Sequence, residues 1–362
     1  MPDYVRYSDD VEHKIPDEDE TVQETRELFQ EMRVAAFEKH RHGIRDAHAK
    51  SHGFLKAELR VYEGLPEELA QGVFAEPKVY PVIVRFSTAP GELTRDSIPS
   101  FRGMALKLVG VPGEKVIPED LDAVTQDFLL VNHPTIPTGT VTEYLRGMKL
   151  MSVAGKEPEP VQKAMAKGTQ VVNAVANALG NEVLGPAGQG KKETGILDQT
   201  FTSMAALRYG DYVAKVSAVP LSPALTTEEQ QRPTIHGDAG LRDVVRDFFK
   251  AQGAEYEIRV QLCTDLETMP VEDGGIRWPE DESPYRGVAK LVIPSQDAYS
   301  DARRIYGDDT LTFNPWHCIP EHRPLGNIQR IRRAVYDDST RFRHERNQAP
   351  LKEPTSIDEL PD

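Results

Sequence analysis

Residues 79–88 read VYPVIVRFST. β-branched and aromatic residues fill most of this run, and its only proline, Pro81, stands near the start, so the composition predicts a strand over 79–88. Arg85 interrupts the apolar pattern. A cation placed where a strand should be buried needs a partner, because an unpaired buried charge is costly. Working outward, FRGMALKLVG (101–110) alternates Met104, Leu106 and Leu108 and predicts a second strand. Phe54, Ala57, Leu59 and Val61 mark one upstream, and DFLLVNHPTIP (127–137) is a short apolar strand closed by Pro134 and Pro137. A second set follows at 204–221, 255–263 and 288–294. Helical spacing appears at 21–40 (Val22, Leu28, Met32, Ala35, Ala36), over 141–182 as two or three helices, and at 241–252. Strands joined mostly by turns, with helices inserted between them, predict an antiparallel α+β core and not alternating βαβ units.

Composition narrows the class. With 39% hydrophobic and 28% charged residues, the chain of 362 residues reads as a soluble globular protein. We divide it into a polar N-terminal arm (1–20), a single domain (21–346) and a polar C-terminal tail (347–362). No apolar run is long enough to predict a membrane span, and the acidic start lacks an apolar signal core, so the expected compartment is cytoplasmic. A net charge of −15 argues against general affinity for nucleic acid. Two cysteines, Cys263 and Cys318, exclude a disulfide framework. The glycine-rich stretch 185–198 has no Walker pattern and no GxGxxG after a strand. His133, His317 and His322 are not at metal-ligand spacing and read as structural or surface groups. Trp278 and Trp316 read as loop anchors, and Met148 and Met151 as helix packing.

The stretch RIRRAVYDDSTRFRH (330–344) carries the chemistry. It contains no proline or glycine, so a helix runs through it uninterrupted. Arg332 and Tyr336 are four apart and Arg343 seven further on, which brings all three near one face. A guanidinium beside a phenol favours the phenolate, a hard anionic ligand suited to ferric iron. On its own, Arg-x-x-x-Tyr is equally an arginine stacked on a surface tyrosine.

Three further pieces stand upstream: Arg45-Asp46-Ala47-His48-Ala49-Lys50; Arg85-Phe86-Ser87-Thr88 with Arg102-Gly103-x-Ala105-x-Lys107; and Phe128 in DFLLVNHP. With the Arg332-x-x-x-Tyr336 helix, these resemble the haem catalases, in the same order along nearly the whole chain, with 140–330 carrying the likeness only loosely. The resemblance implies an antiparallel β-barrel flanked by helices, with haem b between barrel and C-terminal helix. It implies Tyr336 as the iron ligand, held as phenolate by Arg332. His48 would be the distal histidine, oriented by Ser87, that moves a proton between the peroxide oxygens. Arg45, Arg85 and Arg343 would clamp the haem propionates, and Phe128 would stand at the distal face.

The chain also departs from the pattern. Laid without gaps, the position of the catalase distal asparagine is Ala123, with Thr125, Gln126 or Asp127 as conceivable substitutes; the residue before the histidine is Ala47, smaller than the usual valine. Fewer than 20 residues follow His344, so the likeness is to the small catalase-related peroxidases, with oligomerisation open. The expected partners are hydrogen peroxide or an organic hydroperoxide and a small organic reductant. The alternatives are a fatty-acid hydroperoxide isomerase or lyase, and a non-catalytic haem-binding protein.

Overall fold

A computed structural model describes residues 3–89, 91–96, 100–155 and 195–362. The helices expected beyond residue 155 and most of the glycine-rich stretch lie outside the described residues. Among the described residues nine strands form: β1 Lys50–Val61, β2 Val79–Thr88, β3 Arg102–Val109, β4 Thr125–Val131, β5 Phe201–Thr202, β6 Leu207–Tyr209, β7 Tyr212–Pro220, β8 Ala254–Leu262 and β9 Arg286–Ile293. Every pairing is antiparallel, in the order β5-β4-β3-β2-β1-β9-β8-β7-β6. The two-residue β5 also pairs with β7, through Phe201↔Ala218 and Thr202↔Ser217. That second pairing closes eight strands into a barrel and leaves β6 outside as a hairpin arm of β7. Closure removes the open edges that an antiparallel sheet of this size would otherwise expose.

Alternation sorts the side chains. Leu55, Ala57 and Leu59 of β1, Val82, Val84 and Phe86 of β2, Met104, Leu106 and Leu108 of β3, and Phe128 and Leu130 of β4 fill the interior. The opposite face of the same strands carries Phe54, Ile83, Arg85, Ser87, Gly103, Ala105, Lys107, Asp127 and Leu129. Phe54↔Arg85, Arg85↔Ala105 and Ala105↔Leu129 run as one row across four strands. Because the side-chain period is two, the register that buries Val84 and Phe86 must turn Arg85 and Ser87 outward. This outer wall supports the site.

Helix α1 (Glu18–His40), α2 (Val141–Gly155) and the C-terminal helix, α5 here (Asn327–Asn347), pack as a separate layer. Phe29, Val141, Ile328, Ile331 and Val335 form its apolar seam. Helix α3 (Gly240–Ala251) lays Leu241, Val245, Phe248 and Phe249, at helical spacing, on the barrel cluster. The short α4 (Asp301–Ile305) runs into a π-turn at Tyr306–Thr310. The N-terminal arm is tied down: Val5 N–H donates to the Cys263 carbonyl at 2.8 Å, and Glu12 accepts from Arg323 at 2.8 Å and Arg330 at 2.6 Å. The α1 helix starts at Glu18, which binds Arg330, three residues before the expected Thr21. Among the described residues no helix is long and apolar enough to cross a membrane.

Candidate active site

His48 lies just before β1 and above the outer wall of the barrel. Its backbone is left-handed, φ +50°, a conformation that costs a residue with a Cβ about 1–3 kcal/mol. Arg85 compensates by donating from its guanidinium to the His48 carbonyl at 2.6 Å. The imidazole Nδ1 lies 3.1 Å from Ser87 Oγ. With Nδ1–H donating to Ser87, Nε2 is left as the free base. Gly103, opposite Ser87 in the β2–β3 register, makes room for this pair, since a Cβ there would fall 2.6 Å from His48 Nδ1. Burial, then the charges of Arg85 and Arg332, push the imidazole down to about 3. His48 is therefore neutral, ready to accept a proton.

On the helical side, Tyr336 and Arg332 sit one turn apart on α5, and the Arg332 guanidinium donates to the phenol oxygen at 3.0 Å. Gln329 Oε1 accepts a second Arg332 bond at 3.1 Å, which fixes the fork. The charge on Arg332 helps to lower the His48 imidazole, so the barrel wall and α5 lie within electrostatic range of each other here. Neither His48 nor Tyr336 is sealed by packing; both keep accessible surface. Tyr144 of α2, stacked on Phe29, stands close enough to Tyr336 and Arg332 to feel their charges.

Three guanidiniums gather nearby. Arg45 donates to Asp308 Oδ1 at 3.1 Å and to the carbonyls of Gly307 and Leu311 at 2.7 and 2.8 Å. Arg343 donates to the carbonyls of Asp308, Asp309 and Leu311 at 2.6–3.0 Å. The two arginines thus take up the carbonyls that the π-turn leaves free. Arg85 gives one bond to His48, and its buried Nε has no partner among the described residues. Burial lowers all three guanidiniums, Arg85 to about 9. Asp308 is the carboxylate bonded to Arg45, whereas Asp309 is taken by His42 at 2.7 Å. The cluster carries an excess of buried positive charge, which calls for an anionic partner.

No family model and no curated protein matches this sequence. Solved structures do. Catalase A from Saccharomyces cerevisiae matches with TM-score 0.59 at 15% identity over 90% of this chain and 66% of its own. A bacterial catalase matches with 0.58 at 16% over 89% and 63%, and a fungal catalase with 0.57 at 18% over 86% and 61%. The fold is that of the catalase core. The chain spans 61–66% of the length of these catalases.

On this catalase-core fold, His48 and Ser87 meet, Arg332 and Tyr336 meet, and Arg45, Arg85 and Arg343 gather. Phe128 does not join them. It is on the inner face of β4, 6.0 Å from Phe74 and 5.4 Å from His322 between ring centroids, deep in the barrel cluster. Alternation turns its neighbour Leu129 to the wall that carries Arg85. No substitute for the distal asparagine comes from the expected segment either. Thr125 donates to Glu353 at 2.7 Å, Gln126 bonds the Asp127 and Ile319 backbone, and Asp127 pairs with Lys107 at 2.8 Å. All three are spent on a buried network that also holds His317. Ala123 lies in the turn before β4, beside a cavity of about 420 Å³ lined by Asp120, His317 and Asp337.

Sequence reasoning passed over Gly103 as a spacer, Asp308, Gln329 and Tyr144. The first was legible in principle, as a glycine inside a strand is a sign of close approach. The others depend on long-range placement. His322 proves to be a barrel-core residue whose Nε2 accepts from Val73 N–H, and both tryptophans are buried, Trp316 donating to the Gln329 carbonyl at 2.7 Å. The residues fit haem on three counts: a phenol oxygen already bonded by a guanidinium, an imidazole held at Nδ1 by Ser87, and, beside Arg45 and Arg343, an Arg85 Nε with no partner among the described residues and suited to a carboxylate.

Proposed function

We propose that this protein is a haem-dependent, catalase-related peroxidase, acting on hydrogen peroxide or an organic hydroperoxide with a small organic reductant. The observation that carries the proposal is the guanidinium cluster: Arg85, bonded to the His48 carbonyl, has a buried Nε with no partner among the described residues, beside the buried Arg343 and the half-buried Arg45. Tyr336 would hold the iron of haem b, and Arg45, Arg85 and Arg343 its carboxylates. The bound haem would supply the redox centre at which the O–O bond breaks.

The chain's own residues do the rest. Neutral His48 takes a proton at Nε2 from one peroxide oxygen and returns it to the other, so that the departing oxygen leaves as water or alcohol. Ser87 fixes the tautomer through Nδ1. Arg332, held by Gln329, places its positive charge beside the Tyr336 oxygen. Without a side-chain donor from Thr125, Gln126 or Asp127, peroxide loses an orienting contact, a deficit of about 3–4 kcal/mol by analogy with an oxyanion-hole group. That loss bears most on a reaction needing two successive peroxides. It favours single-peroxide chemistry, either peroxidation or rearrangement of a bulky hydroperoxide without net oxidation.

The test is reconstitution of the purified chain with iron protoporphyrin IX. The expected result is one haem per chain, with a high-spin ferric spectrum carrying a tyrosinate–iron Raman band that Tyr336→Phe abolishes. Oxidised reductant identifies the peroxidase and a rearranged oxylipin the isomerase. Retention of the band in Tyr336→Phe, or failure of the wild-type chain to take up haem, would refute the proposal.

A further inference from the structure

Two residues before His48 stands an acid with no part in the chemistry above. The Asp46 carboxylate is buried, at 8% side-chain exposure, against the Arg33 guanidinium of α1, at 3%. The contact is bidentate: Arg33 Nη2 donates to Oδ2 at 2.6 Å, and Nε lies 3.1 Å from both oxygens. Gln30 takes the remaining fork nitrogen at 2.7 Å. Both partners also touch the helix that carries Tyr336. The Arg33 guanidinium lies 5.7 Å from the Phe342 ring centroid, and the Asp46 N–H points at Ser339 Oγ at 3.4 Å. The Asp46 carbonyl is packed so closely that a Cβ on Gly91 would strike it at 1.8 Å. The His48 loop is thus tied to α1 by this ion pair, and to α5 by the Asp46–Ser339 contact and by the hydrogen bonds that Gly43 exchanges with Asn347.

A buried ion pair is a poor source of net stability, because desolvation offsets most of the attraction; its best-attested use is to specify a geometry. We propose that Arg33 and Asp46 are positioning residues that set His48 at a fixed height and angle relative to Tyr336. The inference rests on the reading of this site as a haem pocket. Neither residue touches substrate; both act through the loop that leads into His48.

The experiment uses the full chain with Asp46→Asn, Arg33→Gln and Arg33→Lys. In haem-loaded protein, the first two should lower kcat per bound haem at least tenfold, with KM for hydrogen peroxide within twofold of wild type, and Arg33→Lys should restore part of kcat. Without haem, ¹⁵N-histidine NMR follows the His48 imidazole, neutral down to about pH 3 in the wild type. Release of the loop should move that titration up by at least one pH unit. Variants that lose only thermal stability, with kcat per haem and the His48 titration unchanged, would overturn the inference. If Asp46→Asn and Arg33→Gln do not fold, Arg33→Lys decides on the same two readouts. If the wild type takes up no haem, the haem reading falls, while the His48 titration still tests the pair.

Discussion

Gly103 offers the sharpest test of how the site is built. Changing it to alanine adds one methyl group at a point where the new Cβ would lie 2.6 Å from His48 Nδ1, 2.7 Å from its Cε1 and 2.8 Å from Ser87 Oγ. Ordinary contact begins near 3.4 Å, so the imidazole or the serine must retreat by about 0.8 Å. Gly103 is on an inner strand, in register with Ser87 on one side and Val131 on the other, so the strand itself yields little. The imidazole gives way instead, and the 3.1 Å bond to Ser87 opens towards 4 Å, beyond hydrogen-bond range. Overpacking of this kind costs about 1–3 kcal/mol of stability, and the lost bond about 0.5–1.5 kcal/mol. A displacement approaching 1 Å in a proton-transfer group corresponds to a loss on the order of 10²-fold in rate. The assay pairs turnover per haem with the His48 NMR titration in Gly103→Ala, and the expected result is a fall of about that size with haem uptake retained. Turnover within threefold of wild type and an unmoved His48 titration would refute the argument that glycine is needed here to seat the histidine.

Two further outcomes follow from the same geometry. Lys107, with no exposed side-chain surface, is bonded to Asp127 and to Glu353 of the C-terminal tail, and it helps bring the buried Glu353 down to about 2. Lys107→Met should therefore cost about 3–5 kcal/mol by removing the lysine that both carboxylates share, and should free the tail to proteolysis near residues 348–356, measured by denaturant unfolding and limited digestion. The second concerns pH: burial pushes His48 and His322 down to about 3 and His344 to about 4, against 6.5 in the unfolded chain. Between those limits the unfolded chain binds more protons, so stability present above about pH 6.5 is lost as pH falls, by about 1.4 kcal/mol per pH unit for each such histidine. Replacing His322 by glutamine should flatten the measured slope between pH 6 and 4.5 by that amount, and an unchanged slope would count against it.

The barrel was legible because alternation is a local property. VYPVIVRFST and FRGMALKLVG each declare two faces, and Arg85 announces itself as the residue that does not belong inside. The four-residue spacing of Arg332 and Tyr336 likewise needs nothing beyond one helix to bring a guanidinium to a phenol, and they meet at 3.0 Å. Phe128 shows the limit. In a run as uniformly apolar as DFLLV, either parity can face inward, and only pairing with β3 assigns Phe128 to the core and Leu129 to the wall. The two residues of β5 carry no pattern of their own and exist because closure needs them.

From the sequence alone came the longer strands, the C-terminal helix and the chemical types at the site, since each is written in spacings of two, three or four residues. Tertiary structure alone decided what those groups face. It set Asp46 against Arg33, Glu353 against Lys107, and the π-turn carbonyls against Arg45 and Arg343, across separations of 13 to 266 residues. The physical reason is that a charge chooses its partner by distance in space and by the water excluded around it, and neither is determined until the barrel has closed and the helices have packed upon it.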